Sequence, residues 1–189
     1  MKLVIALSAA ALLTACAPTM AAAPAGAFQA PSRVAVTLDH SWTHIPPALN
    51  LATNGSVLTR HGLALERVDI ISIEPGEAIV RARENDDAPR FRDGMSEIEV
   101  VELVTSSLAR MGYTDVQTTD VRPHQWGGAN GVRFGLNGRY PSGLNLRGDV
   151  VLAQANGKLN LMMYLAPASH YYDATATDFE HMVASAQLS

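Results

Sequence analysis

Three groups of residues have the types and spacing to do chemistry. His40 and His44 stand four apart with Asp39 beside them, and on a helix that spacing would put two imidazoles on one face for a metal ion. Pro46-Pro47 and the alternating pattern ahead of them speak against a helix there. The expectation is therefore surface or capping histidines and no metal site. Ser169, His170 and Asp173 supply the residue types of a hydrolytic trio. A triad needs the base within reach of the nucleophile and an acid behind it, a geometry usually drawn from separate elements. Neighbours at a strand-to-helix junction more naturally bond the backbone of the turn, so the run His170-Tyr171-Tyr172-Asp173 is expected to pack its aromatics between sheet and helix, with Asp173 near a helix N-terminus. The third group is Trp126 with His124 and Gln125, ahead of Gly127-Gly128. An exposed tryptophan on such a loop is a contact anchor for a protein partner; folded back, it covers the sheet edge. Catalytic residues and cofactors are not expected. The chain has no G-x-S-x-G, no P-loop and no G-x-G-x-x-G motif.

The one cysteine, Cys16, ends an N-terminal stretch that opens with Lys2 and runs apolar from Leu3 to Leu13. A charged start, an apolar run and small residues before a cleavage point make a secretory signal, too short for the roughly 20 residues of a membrane span. Leu13-Thr14-Ala15-Cys16 resembles the lipobox of bacterial lipoproteins. That resemblance implies removal of residues 1–15 and acylation of Cys16, and two or more acyl chains make a stable anchor where one is marginal. With Ala17 and not Asp after the cysteine, the resemblance further implies the outer membrane, facing the periplasm. A lipidated Cys16 leaves no thiol for disulfides, metal clusters or nucleophilic chemistry.

The 189 residues carry 14 basic and 18 acidic side chains, a formal net charge of −4. That balance speaks against nucleic acid, whose binding needs a clustered basic face. Residues 81–93 interleave Arg81, Arg83, Arg90 and Arg92 with Glu84, Asp86, Asp87 and Asp93, which reads as a solvated loop of compensating charges.

The elements that must position these groups follow from periodicity. Residues 17–31 are rich in Ala and Pro and poor in large side chains; with Cys16 and Ser32 they read as a tether over 16–32, reaching roughly 45 Å if extended. A single domain is expected over 33–189. Val34, Val36 and Leu38 alternate as a first strand, and residues 63–73 hold one or two more. Ser96-Glu97-Ile98-Glu99 has capping-box spacing, and Val100, Val104, Leu108 and Met111 continue at helical period to Gly112. Beyond it come a strand over 115–121, a glycine-rich loop over 123–131, alternating strands, a hairpin turn at Asn156-Gly157, and a C-terminal amphipathic helix marked by Phe179, Met182 and Val183.

Gly157-Lys158-Leu159 with its apolar strand, His170-Tyr171-Tyr172-Asp173, Asp178-Phe179-Glu180 and Ser185 resemble the C-terminal half of PsbP-like proteins; Pro89-Arg90-Phe91 to Met95 and the helix after it resemble the upstream part. The resemblance covers roughly residues 34–188 and implies the Mog/PsbP-type fold: α+β, an α/β/α sandwich with a central, mainly antiparallel sheet flanked by helices. It also implies a noncatalytic binding or assembly subunit beside a membrane complex. The functional expectation is a membrane-anchored envelope lipoprotein that binds a protein partner. A small-molecule carrier or sensor is the alternative, and an envelope hydrolase comes third.

Overall fold

The computed structural model describes residues 19–47, 55–81 and 87–189. The signal segment, Cys16, and Arg83, Glu84 and Asp86 of the mixed-charge loop lie outside the described residues. In chain order the elements are β1 (Ala21–Ala23), β2 (Gly26–Gln29), β3 (Val34–Leu38), β4 (Trp42–Ile45), β5 (Gly55–Thr59), β6 (Arg67–Ile73), α1 (Glu97–Arg110), β7 (Thr114–Trp126), β8 (Ala129–Arg139), β9 (Asn145–Ala155), β10 (Lys158–Pro167), α2 (Tyr171–Ser185) and β11 (Gln187–Leu188). Eight strands form one sheet in the order β1-β4-β5-β6-β10-β9-β8-β7, with every neighbouring pair antiparallel. The small sheet β11-β3-β2 is separate.

Strand β10 shows why the sheet is a two-sided core. Leu159, Leu161, Met163 and Leu165 join the cluster that holds Val100, Val104 and Leu108 of α1. Met162, Tyr164 and Ala166, of opposite parity, join the cluster that holds Phe179, Met182 and Val183 of α2 and Val34, Val36 and Leu38 of the small sheet. A strand covered on both faces reads as continuous apolar sequence, as β10 does. The register keeps like with like: Leu161 lies opposite Ile71 and Leu152, and Met162 opposite Ile70 and Val151. The architecture is thus the expected α+β sandwich of a large antiparallel sheet between two helices, with the small sheet added beside α2.

Helix α1 opens on the capping box: Ser96 N–H donates to the Glu99 carboxylate at 2.8 Å, and Glu99 N–H donates to Ser96 Oγ at 3.3 Å. The Asn156-Gly157 turn takes positive φ at both residues, 55° and 72°, as a two-residue hairpin with matching twist requires.

Two expectations need correction. The tether is not a tether along its length, because Ala21–Ala23 pairs with β4 at the edge of the main sheet and Gly26–Gln29 pairs with β3. Backbone ladders do not need large side chains, and small ones suit this margin, where Ala23 and Ala30 are buried. The ordered fold therefore includes residues from 21 onward, ahead of the expected boundary at 33. The loop over 123–131 is likewise strand on both sides of a turn at Gly127-Gly128, whose φ values are +54° and +85°. Pro123 is accommodated because β7 is an edge strand, where a missing N–H breaks no central ladder. In 63–73 the strand occupies only 67–73, and β5 is an additional strand.

Candidate functional site

A bulge in β7 organises a polar surface on the α2 side of the sheet. Thr119 lies opposite Gly135 and Arg122 opposite Arg133, so Asp120 and Val121 together face the single residue Phe134. Asp120 takes the left-handed conformation, φ 51°, that absorbs the extra residue. Because the phase shifts there, Thr119 and Arg122 come out on the same side of the sheet, followed by His124 and Trp126. That side is the one packed by α2: Arg133 lies opposite Val151, and Val151 belongs to the α2 core cluster.

Where β7 to β9 extend past α2, this face forms a basin of about 340 Å³. Thr119 and Arg122 line it from β7, Gly135 and Asn137 from β8, Arg147 from β9, and Tyr172 from α2. Gly135 keeps the floor open, since a Cβ there would sit 2.5 Å from Thr119 Oγ1 and force that side chain to shift.

Charge in and beside the basin is paired. Arg133, 7 % exposed, donates from Nε and Nη2 to the two oxygens of Asp149 at 3.0 and 2.8 Å, and from Nη1 to Glu180 Oε2 at 2.8 Å. This fork ties α2 to the sheet, and bidentate geometry makes such bonds strong. The hydrogen bonds that Arg133 donates to Glu180 and Asp149 raise its pKa further, and the same contact holds Glu180 below the usual carboxylate range. Arg147 lies 4.0 Å over the Tyr172 ring, with Nη1 3.3 Å from Asp173 Oδ1. Arg122 pairs through Nη1 with the Asp120 carboxylate and with its carbonyl at 3.1 Å. Burial, then the positive charge of Arg133 and Arg122, keeps His124 below the ordinary imidazole pKa. Such an arrangement can pair charges and donate hydrogen bonds.

The sequence-predicted residues scatter around this basin. His124 lies at its margin beside Arg133 and Arg122. Gln125 is exposed, of opposite parity, and donates to Asn130 Oδ1 at 2.6 Å. Trp126 corrects the expectation of an exposed anchor: it is 1 % exposed, packed in the α2 cluster, with its indole N–H lacking a hydrogen-bond partner. The folded-back alternative is the one realised. Ser169, His170 and Asp173 are not assembled as a triad. Asp173 reaches Arg147, the His170 ring stands edge-on to Tyr171 at 5.2 Å, and the Ser169 carbonyl accepts from Tyr171 N–H. His40 Nδ1 bonds Asp178 Oδ1 at 3.1 Å on the carboxylate that Arg60 also holds, Asp39 pairs with His181, and His44 sits in β4 against the Phe28 ring. Among the described residues no three of His, Cys, Asp and Glu form a group able to hold a metal.

Sequence reasoning missed Arg133, Asp149, Arg147 and Arg122. A signal was present, since Arg133 interrupts the apolar run Val132 to Phe134 and Asp149 abuts Val150-Val151; a charge inside an apolar stretch needs a partner.

No family model matches the chain, and no curated protein matches it in sequence. Among solved structures it is similar to cyanobacterial PsbP (CyanoP) from Synechocystis sp. PCC 6803, with a TM-score of 0.51 at 13 % identity over 94 % of this chain and 99 % of that one. It is also similar, at a TM-score of 0.39 and 13 % identity over 77 % of this chain and 91 % of the other, to PA94 from Pseudomonas aeruginosa, a protein of unknown function. The first likeness spans nearly all of both chains and defines the fold as PsbP-like. At that identity it transfers no residue roles.

Proposed function

We propose that this chain is a noncatalytic envelope lipoprotein, anchored through Cys16 and facing the periplasm from the outer membrane, whose PsbP-like domain binds a protein partner in envelope assembly or maintenance. The observation that carries the reading is the basin over β7 to β9, a polar concavity of paired charges, while the candidate hydrolytic and metal-binding residues are held in structural contacts. The lipobox motif and the apolar run ahead of Cys16 support the anchor. A carrier would call for a closed apolar cavity; three surface cavities among the described residues, of about 280, 330 and 340 Å³, each have several polar or charged residues in their lining.

The early start of the fold changes the expected geometry. Five residues from Cys16 to Ala21 span at most about 18 Å, so an acylated Cys16 would hold the β1 edge close to the bilayer instead of letting the domain range roughly 45 Å away.

The test is cross-linking and affinity capture from the native envelope, read by mass spectrometry, with Cys16→Ala as the unanchored control. Acylation of Cys16 and a reproducible partner of the anchored form alone are expected. An unmodified Cys16 would end the lipoprotein reading, and an envelope that yields no partner above background would end the binding reading.

A further inference from the structure

We propose that the basin formed by β7, β8, β9 and the first turn of α2 docks an acidic segment of a partner protein, with Arg122 and Arg147 as the residues that receive its carboxylates. This rests on the protein-binding reading above and names the chemistry of the partner.

The donor inventory points to an acid. Among the described residues, Arg122 and Arg147 each engage protein oxygens through Nη1 alone, which leaves Nε and Nη2 of both guanidiniums without a partner there. Their present partners hold them weakly: the side chains of Asp120 and Asp173 are 74 % and 75 % exposed, and the two arginines 45 % and 49 %. Exposed pairs of this kind contribute little, so exchanging them for a partner's carboxylates costs little. Of the two carboxylates that line the basin, Asp149 has both oxygens committed to Arg133 and Asp120 is paired with Arg122. The Asn137 amide and the Thr119 hydroxyl add neutral donors on the same surface. Helix α2 begins at His170 without a side-chain cap, so its first turn, which carries Tyr172 into the basin, adds the favourable end of a helix dipole.

A protein segment fits better than a lipid surface. The site is a concavity about the size of two or three side chains, which a chain segment can enter and a flat bilayer surface cannot. The eight-stranded sheet also separates the basin from the expected anchor, since β8 lies six strand spacings from β1, roughly 29 Å at about 4.8 Å each. An anchored β1 edge therefore presents the basin away from the membrane.

The test uses residues 16–189 with Cys16→Ala, monitored by amide chemical shifts. The probes are acetylated, amidated hexaglutamate and hexalysine peptides, inorganic phosphate, and phosphatidylglycerol vesicles. Hexaglutamate is expected to shift the amides around Thr119, Arg122, Asn137 and Arg147, to bind more weakly as salt rises, and to lose about tenfold or more in affinity in Arg147→Gln or Arg122→Gln. Both variants are expected to keep the parent's thermal midpoint, because both arginines are half-exposed. Binding of hexalysine at the basin, equal response to phosphate, a response confined to vesicles, or no response to hexaglutamate would each overturn the proposal. The double variant Arg122→Glu/Arg147→Glu separates this idea from the broader one. A captured envelope partner that survives it leaves protein binding standing and removes the acidic docking site.

Discussion

Replacing Trp126 with alanine tests the placement of the hairpin most directly. The indole is 1 % exposed and lies in the cluster formed by the sheet and α2, so truncation removes a large buried ring and leaves a cavity worth about 3–5 kcal/mol. The indole N–H has no hydrogen-bond partner, and burying an unpaired donor already costs about 1–3 kcal/mol. Trp126→Phe deletes that donor while keeping much of the volume, so its net effect is expected within about 1.5 kcal/mol of the parent. Urea titration followed by far-ultraviolet circular dichroism reads both variants. With a slope of about 2–3 kcal/mol per molar urea, the alanine midpoint falls by about 1–2 M and the phenylalanine midpoint by much less. An alanine variant within about 1 kcal/mol of the parent would refute the burial argument and restore Trp126 as a surface anchor.

Arg133→Met strands Asp149 and half-exposed Glu180, and is expected to cost about 2–3 kcal/mol in chemical denaturation; adding Asp149→Leu should recover part of that, since replacing both partners of a pair removes the uncompensated charge. Ser96→Ala removes the α1 capping box and should cost about 1 kcal/mol, lowering the thermal midpoint by about 2–4 °C. Two histidines should pull the pH profile in opposite directions. Asp39 raises the His181 pKa by hydrogen bonding and charge, so its contribution is full below the ordinary imidazole value and disappears as pH rises through the raised one; His181→Gln should remove that loss from melts across about pH 6 to 8. Burial lowers the His44 pKa, so its contribution is present above the ordinary value and disappears as pH falls through the depressed one; His44→Phe should reduce destabilisation across about pH 4 to 6.

The elements most legible in the sequence are those whose signals are local. Ser96 and Glu99 mark the start of α1 by side-chain chemistry alone, and Asn156-Gly157 marks a hairpin by its tolerance of positive φ. The alternating apolar residues of β8 to β10 give the antiparallel meander. Strands β1 and β2 were hidden because they are short, place few large side chains in the core beyond Phe28, and rely on ladder hydrogen bonds to β4 and β3, and Ala21-Ala22-Ala23 carries no strand period. Of the site, His124, Tyr172, Asp173 and Glu180 were named from sequence, though not as one group, and the arginines that join them were missed. Arg133, Asp149 and Glu180 come from two strands and a helix, and their convergence depends on pairings that lie 16 and 47 residues apart in the chain.

The bulge at Asp120 explains why the role of Trp126 could not be decided by counting. In a regular strand with Thr119 turned toward α2, residues 121, 123 and 125 would share its side, placing Val121, Pro123 and Gln125 there. The extra residue reverses the phase, so Arg122, His124 and Trp126 take those positions while Val121 is left 51 % exposed. A left-handed aspartate is permitted by its short polar side chain and announces itself by no pattern in the sequence. That one backbone feature seats Trp126 in the core and turns Arg122 over the basin. The core contact and the basin face of β7 are therefore coupled through Asp120, and neither can be re-phased without the other.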